Sequence, residues 1–89
     1  MIRRFTVVGI GELLWDLFPE GARFGGAPVN FACHAAALGA SVHVVTGVGN
    51  DELGRQAVEA LQSHGVNPDA VAICERAPTG TVHVAVDVA

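Results

Sequence analysis

Residues 24–32 read FGGAPVNFA, a glycine pair followed by a proline at the head of an apolar segment. Pro28 suits the first position of a helix, where its missing N–H is no loss. Glycine has no Cβ, so Gly25 and Gly26 let the backbone come close to a bound molecule. Asn30 falls in the first helical turn, beside N–H groups that have no partner within the helix. The stretch therefore predicts a helix whose start offers a small polar ligand bare backbone and an amide side chain.

The segments before this helix predict a strand and a loop. Residues 5–10, FTVVGI, form a short β-branched run, which we expect to be a strand buried on both faces. Residues 11–26 are rich in glycine and predict a loop. The helix itself is expected over residues 28–38, buried and alanine-rich, and Gly39 is its natural stop.

The second half of the chain predicts further alternation of strands and helices. Residues 47–49 are expected to form a tight turn, and Asn50 is the predicted cap of an amphipathic helix that ends at His64 and Gly65. Strands are expected over residues 41–46, 71–74 and 81–88.

This order of elements predicts an α/β fold with a doubly wound, mostly parallel sheet and right-handed crossovers. Ligands bind such sheets at the carboxyl ends of the strands, where the loop 11–16, the turn 47–51 and the segment 25–30 are all expected. Three or four strands would leave an open sheet edge and a poorly covered face. We therefore expect residues 1–89 to be the beginning of a larger protein, which could self-associate or form a homodimer through that edge.

Composition narrows the classes of function. The 89 residues carry a formal net charge of −4, with five basic residues, all of them arginines. Nucleic acids and anionic membranes both require a basic surface, so neither is an expected partner. No apolar run approaches the roughly 20 residues of a membrane span. Cys33 and Cys74 are widely spaced, which favours two buried, reduced thiols in a cytoplasmic protein over a disulfide.

Asp16 is the first candidate for ligand binding, because it lies in the apolar run LLWDLF, residues 13–18. A carboxylate there is costly unless it is paired, and sugar hydroxyls would be suitable donors. The alternative is an aspartate that caps a turn or pairs with an arginine. For Glu12, a ligand contact and a structural salt bridge are equally open. His34 lies four residues after Asn30 on the same helix face, and a core or interface histidine is favoured over a ligand contact.

Two other kinds of site are not supported. Gly9 and Gly11 begin a dinucleotide-binding fingerprint, but Leu14 stands where the third glycine is needed. No metal-ligand spacing and no nucleophile pattern surround the remaining histidines, His43, His64 and His83. No metal site is therefore predicted.

Three motifs in the right order resemble the N-terminal part of the ribokinase-like (PfkB) carbohydrate kinases, especially fructokinase-like members. They are GELLWD at residues 11–16, GGAPVNFA at residues 25–32 and GVGNDELG at residues 47–54. The resemblance implies a three-layer ribokinase-like fold. It also implies that Asp16, Gly26 and Asn30 bind sugar hydroxyls while Gly25 shapes the loop.

The same resemblance implies transfer of the γ-phosphoryl group of ATP to a sugar hydroxymethyl group, with Mg²⁺. The family's catalytic aspartate lies far downstream in a Gly-Ala-Gly-Asp turn, so no catalytic residue and no bound cofactor are expected in residues 1–89. This chain alone is therefore expected to be inactive.

Leu14 replaces the asparagine of ribose-preferring members, which favours a hexose such as fructose. The short segment between Asp16 and Gly25 predicts a loop in place of the family's lid strands. A non-catalytic module that binds a sugar or a partner is the alternative.

Overall fold

A computed structural model describes residues 5–84, which form two small sheets and two helices. In chain order, the elements are β1 (Thr6–Ile10), β2 (Leu14–Phe18), β3 (Gly21–Gly25), α1 (Ala27–Ala37), β4 (Ser41–Gly49), α2 (Glu52–Ser63), β5 (Val66–Asn67), β6 (Val71–Cys74) and β7 (Gly80–His83).

The first sheet is parallel and is built around β4. This strand pairs with β1 along Ser41–Val45, with β5 at Val42 and His43, and with β6 along Thr46–Gly49. Since the chain moves from β1 through β4 to β5 in one direction across the sheet, right-handed crossovers put both helices on the same face. The parallel α/β fold expected from the sequence is therefore confirmed, as are both helices and their approximate ends.

The hydrophobic core lies between this sheet face and the helices. Its members come from both helices, from β4 and β5, and from β2 and the residue before it: Leu13, Trp15, Val29, Ala32, Val42, Val44, Val48, Ala57, Leu61 and Val66. Helix α1 approaches β1 so closely that a Cβ on Gly9 would lie 3.1 Å from the carbonyl oxygen of Pro28. A glycine on the strand therefore makes room for the helix.

The opposite face of the sheet is open in residues 5–84. Val8, Ile10 and Val45 are exposed by 52%, 75% and 43%, and the pairing of Ile10 with Val45 puts these two side chains on one face. The prediction that the first strand is buried on both faces is therefore wrong for the described structure, whereas the expectation of a poorly covered sheet face is confirmed. The predicted helix is also less buried than expected, because Phe31 on α1 and Leu38 at its C-cap are exposed.

The second sheet corrects the predicted loop over residues 11–26. Strands β2 and β3 form an antiparallel hairpin in which Phe18 pairs with Gly21, so only Pro19 and Glu20 form the turn. The predicted absence of lid strands is wrong because β2 begins before Asp16 and β3 takes in Gly25. A two-residue turn leaves enough chain for two five-residue strands. Strand β7 then pairs parallel to the other edge of β2.

Smaller differences lie at the ends of elements. The predicted turn at residues 47–49 belongs to β4, and the short strand β5 was not expected. The last predicted strand, residues 81–88, begins at Gly80, and its residues 85–88 lie outside the described part of the chain. Gly39 ends α1 with a φ of +95°, a left-handed conformation that favours glycine, so its predicted role is confirmed.

Candidate functional site

Asp16 lies in the middle of β2, the central strand of the second sheet. Its carboxylate is half-buried, and one of its oxygens lies 3.0 Å from the point where a Cβ on Gly25 would stand. No N–H or O–H of residues 5–84 donates a hydrogen bond to this carboxylate. The structure therefore brings Asp16 and Gly25 together, as the site prediction requires, and leaves the carboxylate oxygens available to a donor from outside residues 5–84.

The arginine that could neutralise Asp16 is engaged elsewhere. Arg23 is the cross-strand partner of Asp16, so the two side chains share one face of the hairpin. Its guanidinium lies over the ring of Phe18, 4.8 Å from the centroid, in a cation–π contact. Within residues 5–84 the ion pair found is that of Arg55 with Glu52. The alternative interpretation of Asp16 as the partner of an arginine is therefore wrong for the described residues.

The second glycine of the pair is required by a contact within the chain. Gly26 has a φ of +110°, and a Cβ there would lie 2.5 Å from the carbonyl oxygen of Glu12. No other residue fits without displacing the backbone before β2. Gly26 is also the N-cap of α1, and no side chain caps this helix. The first N–H groups of α1 are thus left without a side-chain acceptor, as the sequence predicted.

Asn30 and His34 lie together on α1, as their spacing predicted. Both are exposed, and both border a cavity of about 330 Å³ whose other walls include Phe24, Cys33 and His64. His34 is therefore not a core histidine. Asp16 and Gly25 do not line this cavity, so the predicted site residues fall into two groups. Gly26 connects them, because its carbonyl oxygen accepts a hydrogen bond of 3.0 Å from the backbone N–H of Asn30.

Glu12 belongs to the group around Asp16. Its backbone packs against Gly26, and its carboxylate oxygen lies 3.1 Å from the point where a Cβ on Gly80 would stand. The side chain is exposed and forms no salt bridge within residues 5–84. The choice between a ligand contact and a structural role for Glu12 stays open.

A hydrogen-bonded cluster at the start of α2 was not found from the sequence. Asp51, not Asn50, is the N-cap, and its carboxylate accepts from the N–H of Gly54 at 2.8 Å. The same carboxylate accepts from the N–H of Thr79 at 2.9 Å and from its hydroxyl at 2.6 Å. These bonds, those of Thr79 first, hold the pKa of Asp51 below its usual range. The only sign of this cluster in the sequence was the acidic pair Asp51 and Glu52 in the motif at residues 47–54.

Other features restrict the chemistry of the described residues. Both cysteines are free thiols, but Cys74 is exposed and Cys33 only partly buried, so the prediction of two buried thiols is wrong. No group of three or more histidine, cysteine or carboxylate side chains within residues 5–84 could hold a metal ion. Neither of the two helices is long and apolar enough to cross a membrane, as a search of the described residues shows.

Comparison with known proteins identifies the class. The profile described as pfkB family carbohydrate kinase matches residues 20–89. Fructokinase-2 of Oryza sativa is 36% identical over 90 residues, which cover 88% of this chain and 27% of that protein. An uncharacterised sugar kinase, PH1459, from Pyrococcus horikoshii superimposes with a TM-score of 0.86 at 30% identity, covering 94% of this chain and 31% of that one.

A third similar protein carries ligands. Fructokinase from Vibrio cholerae O395, crystallised with fructose, ADP and a calcium ion, superimposes with a TM-score of 0.82 at 29% identity, covering 91% of this chain and 28% of that one. The fold is thus that of the ribokinase-like sugar kinases. The chain belongs to the PfkB family of carbohydrate kinases, is fructokinase-like, and spans 27% of the length of the rice relative.

Proposed function

We propose that this chain forms the sugar-binding N-terminal part of an ATP-dependent kinase that phosphorylates fructose or a related hexose at a hydroxymethyl group. Membership of a carbohydrate kinase family supports the class of reaction. Fructokinases among the similar proteins, one of them crystallised with fructose, support the choice of sugar. The substrate, the site residues and the nucleotide are parts of the proposal.

The single observation that carries the proposal is the carboxylate of Asp16, which accepts no hydrogen bond from the described residues. None of the described residues donates to this partly exposed carboxylate, so its oxygens can accept hydrogen bonds from the hydroxyl groups of a sugar. Gly25 leaves the space that this carboxylate occupies. In the proposal, Asp16, Gly26 and Asn30 contact sugar hydroxyls, Gly25 shapes the site, and Glu12 and His34 are further candidates.

Leu14 is the proposed determinant of sugar choice. It lies two residues before Asp16 on β2, so both side chains emerge on the same face of the sheet. A leucine there offers no hydrogen bond to a hydroxyl, in contrast to the asparagine expected in ribose-preferring members. We therefore expect fructose to be preferred to ribose and Leu14→Asn to reduce that preference.

The nucleotide and Mg²⁺ do not fit the described residues. The chain has no lysine to hold a phosphate, and residues 5–84 contain no carboxylate cluster for a metal ion. ATP and Mg²⁺ are therefore proposed to bind the complete enzyme through residues other than these, as is the catalytic aspartate. Phosphoryl transfer requires a positioned base and cationic or hydrogen-bonding groups around the transferred phosphate, so residues 1–89 alone should show no turnover.

The test uses the full-length product of the gene that encodes this chain. Sugar affinity is measured by calorimetry and turnover by ADP release with fructose, glucose and ribose. Asp16→Ala should weaken fructose binding by about 1.5–3 kcal/mol, the range for hydrogen bonds to charged groups, without changing ATP affinity. Asp69→Ala, which removes an exposed carboxylate in a turn, is the matched control and should bind fructose normally.

The outcomes separate the proposal from its alternative. Equal fructose affinity of the Asp16 variant and the wild type would remove Asp16 from the site. Fructose binding without ADP release by the full-length product would favour a non-catalytic sugar-binding module.

A further inference from the structure

The two parallel strands of the second sheet begin at residues that are held by the same part of the first sheet. The N–H of Leu13 donates to the hydroxyl of Thr46 on β4 at 3.2 Å. Thr79 is bound by Asp51, just beyond the end of β4. Leu13 and Thr79 directly precede Leu14 and Gly80, the first paired residues of β2 and β7. The starts of β2 and β7 are thus both held by the C-terminal part of β4 and the residues that follow it.

Thr79 uses both its backbone N–H and its hydroxyl in this arrangement. The N–H donates to one carboxylate oxygen of Asp51 at 2.9 Å, and the hydroxyl donates to the other at 2.6 Å. The hydroxyl oxygen also accepts from the N–H of Gly49 at 2.9 Å. Thr79 is only 3% exposed, so water cannot easily replace any of these bonds. This one side chain therefore ties β7 to both β4 and the start of α2.

The hydrogen bonds of Thr79 affect Asp16 through a single strand pairing, that of β7 with β2. In the β2–β7 pair, Val82 stands beside Asp16, and Gly80 stands beside Leu14. With β7 in place, β2 has a neighbour on each edge, whereas without it β2 would be an edge strand with unpaired backbone groups. Glu12 also lies against the start of β7, with its carboxylate oxygen 3.1 Å from the Cβ position of Gly80.

We propose that Thr79 is a positioning residue for sugar binding, which holds β7 against β2 and so keeps the carboxylate of Asp16 in its binding position. The inference rests on the proposed function, because it assigns Asp16 to the sugar. Asp51 takes part by orienting the Thr79 hydroxyl, and neither residue needs to touch the sugar. Thr79 acts on the affinity for sugar and not on the chemical step.

The test compares three variants of the full-length gene product. Thr79→Val keeps the shape of the side chain and removes the hydroxyl, Thr79→Ser keeps the hydroxyl, and Thr81→Val makes the same change at an exposed position of β7. Thr79→Val should raise the KM for fructose about tenfold, with kcat and the KM for ATP within about twofold of wild type. Thr79→Ser should restore the wild-type KM, and Thr81→Val should not change it.

A second measurement needs only the wild type. If an ordered β7 favours sugar binding, then by linkage bound sugar must stabilise β7. Saturating fructose should therefore slow amide hydrogen exchange at residues 81–83 of the wild type. This measurement tests the proposal even if Thr79→Val fails to fold.

The failures are distinguishable. A wild-type protein that binds no sugar overturns the proposed function and this inference with it. A wild type that binds fructose without added protection of residues 81–83, or a folded Thr79→Val that is less stable but has an unchanged fructose KM, overturns the inference alone.

Discussion

The carboxylate of Asp16 and the backbone of Gly25 face each other across the hairpin, with one carboxylate oxygen 3.0 Å from where a Cβ on Gly25 would stand. The two residues come from different strands, and Asp16 pairs with Arg23 while Gly25 pairs with Leu14. The glycine therefore leaves room for a side chain of the same chain. Gly25, which was predicted to expose backbone to a ligand, also leaves room for the carboxylate of Asp16 that is proposed to bind that ligand.

Gly25→Ala should separate sugar affinity from stability. The new methyl group meets the far end of a flexible side chain, so Asp16 can turn aside, and the free energy of unfolding should change by less than about 1 kcal/mol. Fructose affinity of the full-length product should fall about tenfold, since the displaced carboxylate loses a charged hydrogen bond. Gly47→Ala is the control, because the nearest atom to its Cβ is 3.9 Å away. Unchanged fructose affinity in Gly25→Ala would contradict this account.

The carboxylate of Asp51 should make the free energy of unfolding depend on pH. Its folded-state pKa is lowered, so the unfolded state binds more protons as the pH falls below the usual aspartate value of about 3.9. The stabilisation is fully present above that value and is lost as the pH falls through the lower, folded-state pKa. Urea unfolding should show that the stability advantage of wild type over Asp51→Asn shrinks below about pH 4. Asp69→Asn serves as the control, and a constant advantage down to pH ~2 would disprove the assignment.

Much of the fold could be predicted from hydrophobic patterns, because β1, β4, β6 and both helices carry clear local signals. The hairpin could not, because its length depends on where β2 begins, and Leu14 reads equally well as loop or strand. The choice of Asp51 over Asn50 as the cap depends on Thr79, which is 28 residues away in sequence. In the candidate site, motifs identified Asp16 and the glycine pair, but only the fold shows that Gly25 accommodates Asp16.

The two cysteines should differ in reactivity. Burial raises the pKa of the Cys33 thiol, which reduces its reactive thiolate fraction, whereas Cys74 is exposed at the end of β6. Iodoacetamide at pH ~8 should therefore label Cys74 first, as followed by mass spectrometry of digested protein. Cys74→Ser provides the control in which only the slow reaction remains. Faster labelling of Cys33 than of Cys74 would mean that Cys33 is more accessible in solution than its partial burial indicates.

Gly54→Ala should destabilise the protein, although the same change within a helix normally stabilises by about 0.5–1 kcal/mol. Gly54 lies in the first turn of α2 and is buried. A Cβ there would collide with the carbonyl oxygen of Gly49 and approach the hydroxyl of Thr79 at 3.0 Å. Because the first of these is backbone of a neighbouring strand, relief requires α2 to move away from β4, which would also strain the bonds between Asp51 and Thr79. Urea unfolding should show a loss of about 1–3 kcal/mol, the usual cost of overpacking. Gly47→Ala, where the nearest atom lies 3.9 Å from the new Cβ, is again the control and should change stability much less. A stability gain in Gly54→Ala would mean that the close approach of α2 to Gly49 is not maintained in solution.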